Sequence, residues 1–243
     1  MTIQATIRKL EEMKIYGMTR ALKSTMELGF AGLGIEELLA HLIDAEYDGR
    51  QNRRLNRLLK AARFRYNAST AEIDFCLTRN FTKDSFLCFS DNSYVQKKKN
   101  IIITGPTGVG KSFLASALGN NACIYGHSTL YFNVQKLFSS LKLKKADGSY
   151  MAEIKKIAKA ELIILDDFGL ETLDSFSRLF LLEILEDRHG LASTIITSQL
   201  PVSSWHEVIG DPTIADAICD RIINSSYRIE LKGESVRIKY KTD

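Results

Sequence analysis

Eight consecutive residues constrain this 243-residue chain more than any other stretch: Gly105, Pro106, Thr107, Gly108, Val109, Gly110, Lys111 and Ser112. They fit the pattern G-x-x-x-x-G-K-[ST]. At ordinary residue frequencies a chain of this length matches that pattern by chance roughly 1% of the time, so the match is a signal. Its flanks strengthen it. Ile101, Ile102 and Ile103 make a strand-like apolar run just before it, and a helical pattern follows over residues 111–125. A strand, a glycine-rich turn and then a helix is the setting in which the pattern cradles phosphates. Glycines let the backbone turn tightly and aim N–H groups at a phosphate, and the helix N-terminus adds partial positive charge. This chemistry assigns Lys111 to the β- and γ-phosphates of ATP and Ser112 to Mg2+. The binding stretch is residues 105–113, with Phe113 closing it. The competing reading is a glycine-rich turn before an ordinary helix.

The rhythm around the loop extends the argument. From Asn100 onward, short apolar runs alternate with helical patterns. The runs are 101–103, 130–132, 162–165 and 194–197, with a last strand expected over 227–231. Helices are expected over 111–125 and 177–188. Such alternation implies an α/β fold, a parallel sheet covered by helices on both faces. Residues 1–66 instead read as a small helical domain, with separate helices over 35–47 and 49–64, punctuated by Gly29, Gly32 and Gly34. The mixed stretch 67–99 reads as a linker, which gives domains at 1–66 and 67–243.

A second acidic motif follows the third apolar run. Leu162, Ile163, Ile164 and Leu165 lead straight into Asp166 and Asp167. Carboxylates at the end of a buried strand need a reason, because charge is costly away from water. A metal ion supplies one: Asp166 is expected to hold Mg2+, and Asp167 to polarise the attacking water. Many related sites use Glu at the second position, so the shorter side chain is a departure. The alternative is a pair of capping residues. The strand ending in Thr197, Ser198 and Gln199 offers sensor candidates if it lies between the loop strand and the acidic strand; otherwise it is only a polar strand end. Arg221 closes an amphipathic helix, where an arginine finger for a neighbouring subunit and a plain salt bridge are equally open.

Composition excludes other classes. The chain is 45% hydrophobic and 26% charged with a net charge of +4, ordinary for a globular protein. It has no signal-peptide pattern and no apolar stretch long enough to span a bilayer, so a cytoplasmic protein is expected. Cys76, Cys88, Cys123 and Cys219 are far apart, with no metal-ligand spacing; Cys123 and Cys219 read as buried thiols.

Three blocks together resemble an AAA+ ATPase of the helicase-loader group: the phosphate loop, Leu165-Asp-Asp-Phe-Gly169, and Ile218-Cys-Asp-Arg-Ile222. The stretch from Gln199 through Trp205 to Ile218 and the tail from Arg228 to Arg237 resemble the IstB-like proteins, ATPase helpers of insertion-sequence transposition. Met13-Lys-Ile-Tyr-Gly-Met18 fits the same family. The resemblance implies an oligomer with ATP at subunit interfaces, DNA binding and a partner transposase. It favours Arg221 as a finger acting in trans and makes the strand at Thr194 the inserted sensor strand. Few residues follow the last strand, so no C-terminal lid domain is expected, as in helicase loaders.

Two basic regions are DNA candidates. Arg50, Arg53, Arg54, Arg57, Lys60 and Arg63 recur at helical spacing opposite Leu55, Leu58, Leu59 and Ala62, so one face can pack while the other meets phosphates. Lys136, Lys142, Lys144 and Lys145, then Lys155, Lys156 and Lys159, form the second region. It has no interleaved aromatics, so backbone tracking without sequence readout is expected. The reading is a DNA-dependent ATPase assisting a transposase. The rivals are a replicative helicase loader and, from another class, a P-loop small-molecule kinase.

Overall fold

The computed structural model describes residues 2–29, 34–73, 75 and 81–235. Cys76, Gly32, and Val236 and Arg237 of the tail block lie outside the described residues. The chain divides into two compact units, Met1–Arg57 and Leu58–Asp243.

The first unit is helical. It holds α1 (Ile3–Glu12), α2 (Tyr16–Leu28) and most of α3 (Ile35–Ala62). The sequence suggests two helices here, split near Gly49. The structure has one. A Cβ on Gly17 would sit 2.3 Å from the Ala45 carbonyl oxygen, so Gly17 lets α2 approach the backbone of α3 closely. A Cβ on Gly49 would make only ordinary contacts, and α3 runs through Gly49 unbroken. Glu46, 7% exposed, pins the crossing. Its carboxylate accepts from the Gly17 amide at 2.7 Å and the Met18 amide at 3.3 Å, at the start of α2. It also pairs with Arg50 at 2.7 Å and Arg53 at 3.2 Å.

The second unit is a parallel five-stranded sheet between helical layers. Its elements are α4 (Lys83–Ser90), α5 (Ser93–Gln96), β1 (Asn100–Thr104), α6 (Lys111–Ile124), β2 (Thr129–Asn133), α7 (Val134–Ala146), α8 (Tyr150–Lys159), β3 (Leu162–Phe168), α9 (Ser175–Arg188), β4 (Ser193–Ser198), α10 (Trp205–Ile209), α11 (Pro212–Ile223) and β5 (Ser226–Glu230). The strand order is β2-β3-β4-β1-β5, and every pairing is parallel. Thus β4 does lie between the loop strand and the acidic strand.

Alternation along the strands builds two cores. Ile102, Ile163, Leu165 and Ile196 face the layer of α7 to α11, with Phe138, Leu141, Phe180, Trp205 and Ile218. Ile101, Ile103, Leu162, Ile164 and Ile195 face α6, with Leu114 and Leu118. That second core also takes Phe81, Phe86, Phe89, Tyr94 and Val95. The stretch read from sequence as a linker therefore supplies aromatic cover for one face of the sheet. Polar caps set helix starts. Asn133 accepts from the Lys136 amide, Asp174 from Ser177 and Asp211 from Ile214, each satisfying an N–H that the helix leaves unpaired. Among the described residues no helix is long and apolar enough to cross a membrane.

Candidate nucleotide site

The phosphate loop leaves the carboxyl end of β1, the edge where parallel sheets place ligands. Two glycines are required there. Gly105 has φ 146° and Gly108 φ 87°. A Cβ on Gly105 would meet the Leu231 carbonyl oxygen at 2.2 Å, and one on Gly108 would meet Ser235 Oγ at 2.2 Å. At both glycines the loop backbone is therefore packed directly against the chain just after β5. Lys111, the first residue of α6 and only 6% exposed, donates to the Gly105 carbonyl at 2.7 Å and the Pro106 carbonyl at 2.8 Å. Its charge is therefore held beside the loop. Ser112 and Phe113 follow in the first turn of α6.

The acidic pair sits two strands away. The register of β3 against β4 slips between Leu165 and Phe168: one extra residue on β3 makes a bulge, a device that re-aims side chains. Asp167 occupies it with φ 62°. Asp166 is fully buried. Its Oδ1 accepts from the Thr197 hydroxyl at 2.6 Å, and its Oδ2 accepts from the Tyr131 hydroxyl. Burial and the hydrogen bond to Asp166 push the Tyr131 phenol up, so it stays a donor. Thr197 Oγ1 also accepts from the Asp167 amide at 3.0 Å, so one hydroxyl on β4 fixes both acids. Asp167 Oδ2 accepts from Arg65 at 3.0 Å and from Asn133 Nδ2 at 3.3 Å. Arg65 also reaches Asp166 Oδ2 at 3.4 Å.

The three sensor candidates separate clearly. Thr197 serves the acids. Ser198 donates to the Phe168 carbonyl at 2.8 Å and accepts from the Leu200 amide at 3.1 Å, inside the fold. Gln199 Oε1 accepts from Thr107 Oγ1 at 2.7 Å, so it alone touches the phosphate loop.

Arg221 lies elsewhere. Its backbone carbonyl accepts from Asn100 Nδ2 at 3.2 Å, and Asn100 opens β1. Because the phosphate loop follows the other end of β1, Arg221 sits at the opposite edge of the sheet from its own loop. Its guanidinium pairs with Glu186 at 2.5 Å and donates to the Ala217 carbonyl at 2.9 Å. A half-exposed pair of this kind contributes little to stability.

The basic candidates divide likewise. Arg50 and Arg53 are engaged by Glu46, Lys142 by Asp174 at 2.5 Å, and Lys144 by Glu153 at 3.0 Å. Lys145 lies 5.0 Å from the centre of the Phe176 ring. Arg50, Arg53, Arg54, Arg57, Lys60 and Arg63 are all exposed.

Sequence reasoning missed Arg65, Tyr131 and Asn133. Asn133 ends β2 as Thr197 nearly ends β4, so a polar residue at a strand's carboxyl end was a usable signal. Tyr131 was hidden in an apolar run, and Arg65 in an irregular segment with no periodicity.

The residues present fit a nucleotide with a divalent cation: a glycine-rich loop at a helix N-terminus, one buried ammonium beside it, and one buried carboxylate with a second next to it. Among the described residues no three His, Cys, Asp or Glu side chains cluster as a metal cage. Mg2+ suits such a site, because it binds through one or two carboxylates plus substrate phosphates.

The family model described as IstB-like ATP binding protein matches residues 8–243. The chain belongs to this family. Among relatives of the IstB-like chain, the insertion sequence ATP-binding protein y4pL of Sinorhizobium fredii is 42% identical over 238 residues, covering 98% of this chain and 97% of that one. The ATP-binding protein of insertion sequence IS1162 from Pseudomonas fluorescens is 38% identical over 207 residues, covering 84% and 89%. Among solved structures, DnaI superposes with a TM-score of 0.57 at 25% identity, over 68% of this chain and 92% of that one. The DnaC helicase loader shares the fold at a TM-score of 0.52 and 20% identity, over 72% and 99%. The sheet and its loop are those of the AAA+ P-loop fold.

Proposed function

We propose that this IstB-like chain hydrolyses ATP with Mg2+, assembles on DNA with nucleotide between subunits, and assists a partner transposase. The observation that carries the reading is the Thr197 bridge, which holds a buried Asp166 and a re-aimed Asp167 two strands from a glycine cradle. Lys111 and the loop amides bind the phosphates. Ser112 and Asp166 would hold the cation, which would supply charge neutralisation for the phosphate oxygens. Asp167 orients the attacking water, with Asn133 fixing its carboxylate. Gln199, tied to the loop through Thr107, is the sensor. Arg221 serves the site of a neighbouring chain, a role supported by its position across the sheet from its own loop.

DNA contact is assigned to the exposed basic face of α3, with the lysines of α7 and α8 in support. The transposase is favoured over a replicative helicase because relatives that align with this chain over most of their own length carry insertion-sequence names. The test separates binding from turnover. Lys111→Ala is expected to lose nucleotide binding, while Asp167→Asn keeps it and loses most hydrolysis. Both are read by fluorescent-nucleotide titration and phosphate release, with and without duplex DNA. Wild-type turnover in Asp167→Asn would remove that residue from the chemistry. Failure of the protein to alter strand transfer by the transposase of its own element, with ATP and DNA present, would remove the transposition role.

A further inference from the structure

Arg65 has no part in the chemistry above, yet its guanidinium reaches both carboxylates of the acidic pair. It lies in the irregular segment between α3 and the short turn Thr70–Glu72. Two residues earlier, Arg63 has φ 55°, a left-handed turn of the backbone. One guanidinium nitrogen of Arg65 meets Asp167 Oδ2 at 3.0 Å and Asp166 Oδ2 at 3.4 Å. The same guanidinium lies 5.5 Å from the centre of the Tyr66 ring. Tyr66 in turn meets the Phe113 ring at 6.2 Å, in the first turn of α6. This segment therefore touches the site twice, at the carboxylates and at the helix that carries Ser112.

Two positive groups compete for the same oxygens. Asp166 Oδ1 is committed to Thr197, and Oδ2 is shared between Tyr131 and Arg65. A divalent cation held by Asp166 would put a second positive charge on the same oxygens, and that charge would repel a guanidinium held beside it. Water screens this contest only in part, because Asp166 is buried while the Arg65 side chain is 41% exposed. The exposure also gives Arg65 somewhere to go.

We propose that Arg65 is a latch on the acidic pair: it neutralises Asp166 and Asp167 and holds residues 63–69 against the site until a divalent cation with nucleotide displaces it. The latch rests on the nucleotide-site reading and adds regulation to it. It makes cation loading a signal that the segment between α3 and the ATPase sheet can feel.

The test uses the full chain with ADP bound. Mn2+ is titrated and the free ion is read by electron paramagnetic resonance, for wild type, Arg65→Ala, Arg65→Lys and Asp166→Asn. Arg65→Ala is expected to bind Mn2+ roughly three- to tenfold more tightly, the scale of losing a partly exposed ion pair. Arg65→Lys falls between, because a compact ammonium lacks the planar fork. Unchanged or weaker Mn2+ binding in Arg65→Ala, with Asp166→Asn still weakened, overturns the latch alone. Unchanged binding in Asp166→Asn overturns the site reading beneath it. A second readout is amide hydrogen exchange over residues 64–69. Wild type is expected to lose protection on adding Mn2+, and Arg65→Ala to lack it from the start. Protection that does not respond to the cation in wild type overturns the release. Arg65→Gln, which keeps most of the stem, replaces Arg65→Ala if the latter melts early.

Discussion

Thr107 donates its hydroxyl to Gln199 Oε1 at 2.7 Å, which fastens the phosphate loop to the residue that follows β4. Two residues earlier, Thr197 fastens both acids to the same strand. One strand therefore connects the glycine-rich loop with the acidic pair.

That connection separates two substitutions only two residues apart. Gln199→Ala is expected to leave folding intact and to slow turnover with little change in nucleotide affinity. Thr197→Val removes a donor from a fully buried carboxylate and is expected to cost about 1.5–3 kcal/mol of stability, lowering the melting temperature as well as activity. Equal melting behaviour in the two variants would contradict the bridge.

Arg221→Ala is expected to bind nucleotide normally and hydrolyse it slowly. Arginine fingers contribute roughly 10³–10⁵ in rate in GTPase systems, and the lower end or less is expected here. Mixing Arg221→Ala with Lys111→Ala chains gives some interfaces an intact loop and an intact finger, so activity should partly return. A mixture that stays as inactive as its components assigns Arg221 to its Glu186 pair within one chain.

For DNA, Arg57→Ala with Lys60→Ala is expected to weaken binding to unrelated duplexes equally. It should reduce the slope of log K against log salt by about 0.9 for each phosphate that is no longer neutralised. Arg50→Ala with Arg53→Ala should instead lower the stability of the first unit, since both guanidinia serve Glu46. The outcome that moves the DNA site to the lysines of α7 and α8 is an unchanged salt slope in a folded Arg57/Lys60 variant.

Asp174 yields a pH prediction. Hydrogen bonds from Lys142 and then from Ser177 hold its carboxyl well below the ordinary carboxylate range. A depressed folded-state pKa means stabilisation that is complete above the unfolded value, near 3.9, and lost as pH falls below it. Asp174→Ala should cost about 1 kcal/mol at pH 7, the usual scale for an N-cap. Asp174→Asn should keep the cap and flatten the loss between about pH 5 and pH 2. The chain has a single tryptophan, Trp205, fully buried in the sheet unit. Denaturant titrations followed by its fluorescence read that unit directly; identical pH profiles for wild type and Asp174→Asn would exclude Asp174 as the source.

Much of this was legible in the sequence because the physics is local. Three isoleucines before a glycine-rich turn, and four apolar residues before two aspartates, announce strands and the polar residues placed at their ends. The position of β4 between them was legible only as a condition, since strand order depends on contacts far apart in sequence. Residues 67–99 were opaque for another reason. Phe81, Phe86, Phe89 and Tyr94 bury themselves from short helices and turns, so no period of 2 or 3.6 links them. Gly49 misled because an isolated glycine weakens a helix without ending it, and α3 continues through it. Arg65 could not be placed because a lone arginine in an irregular segment has no spacing to betray its target.

The bulge at Asp167 gives two acids usually treated as near synonyms unequal standing. With φ at 62°, the position favours residues whose short polar side chain tolerates a left-handed backbone, Asp and Asn above others. A glutamate there would gain reach and lose conformational comfort. It would also carry its carboxylate past the Asn133 and Arg65 groups that now hold it. The exchange of Asp for Glu, conservative on most surfaces, is at this residue a change of backbone preference. The kind of acid found at 167 thus reflects the twist of one peptide as much as the chemistry assigned to it.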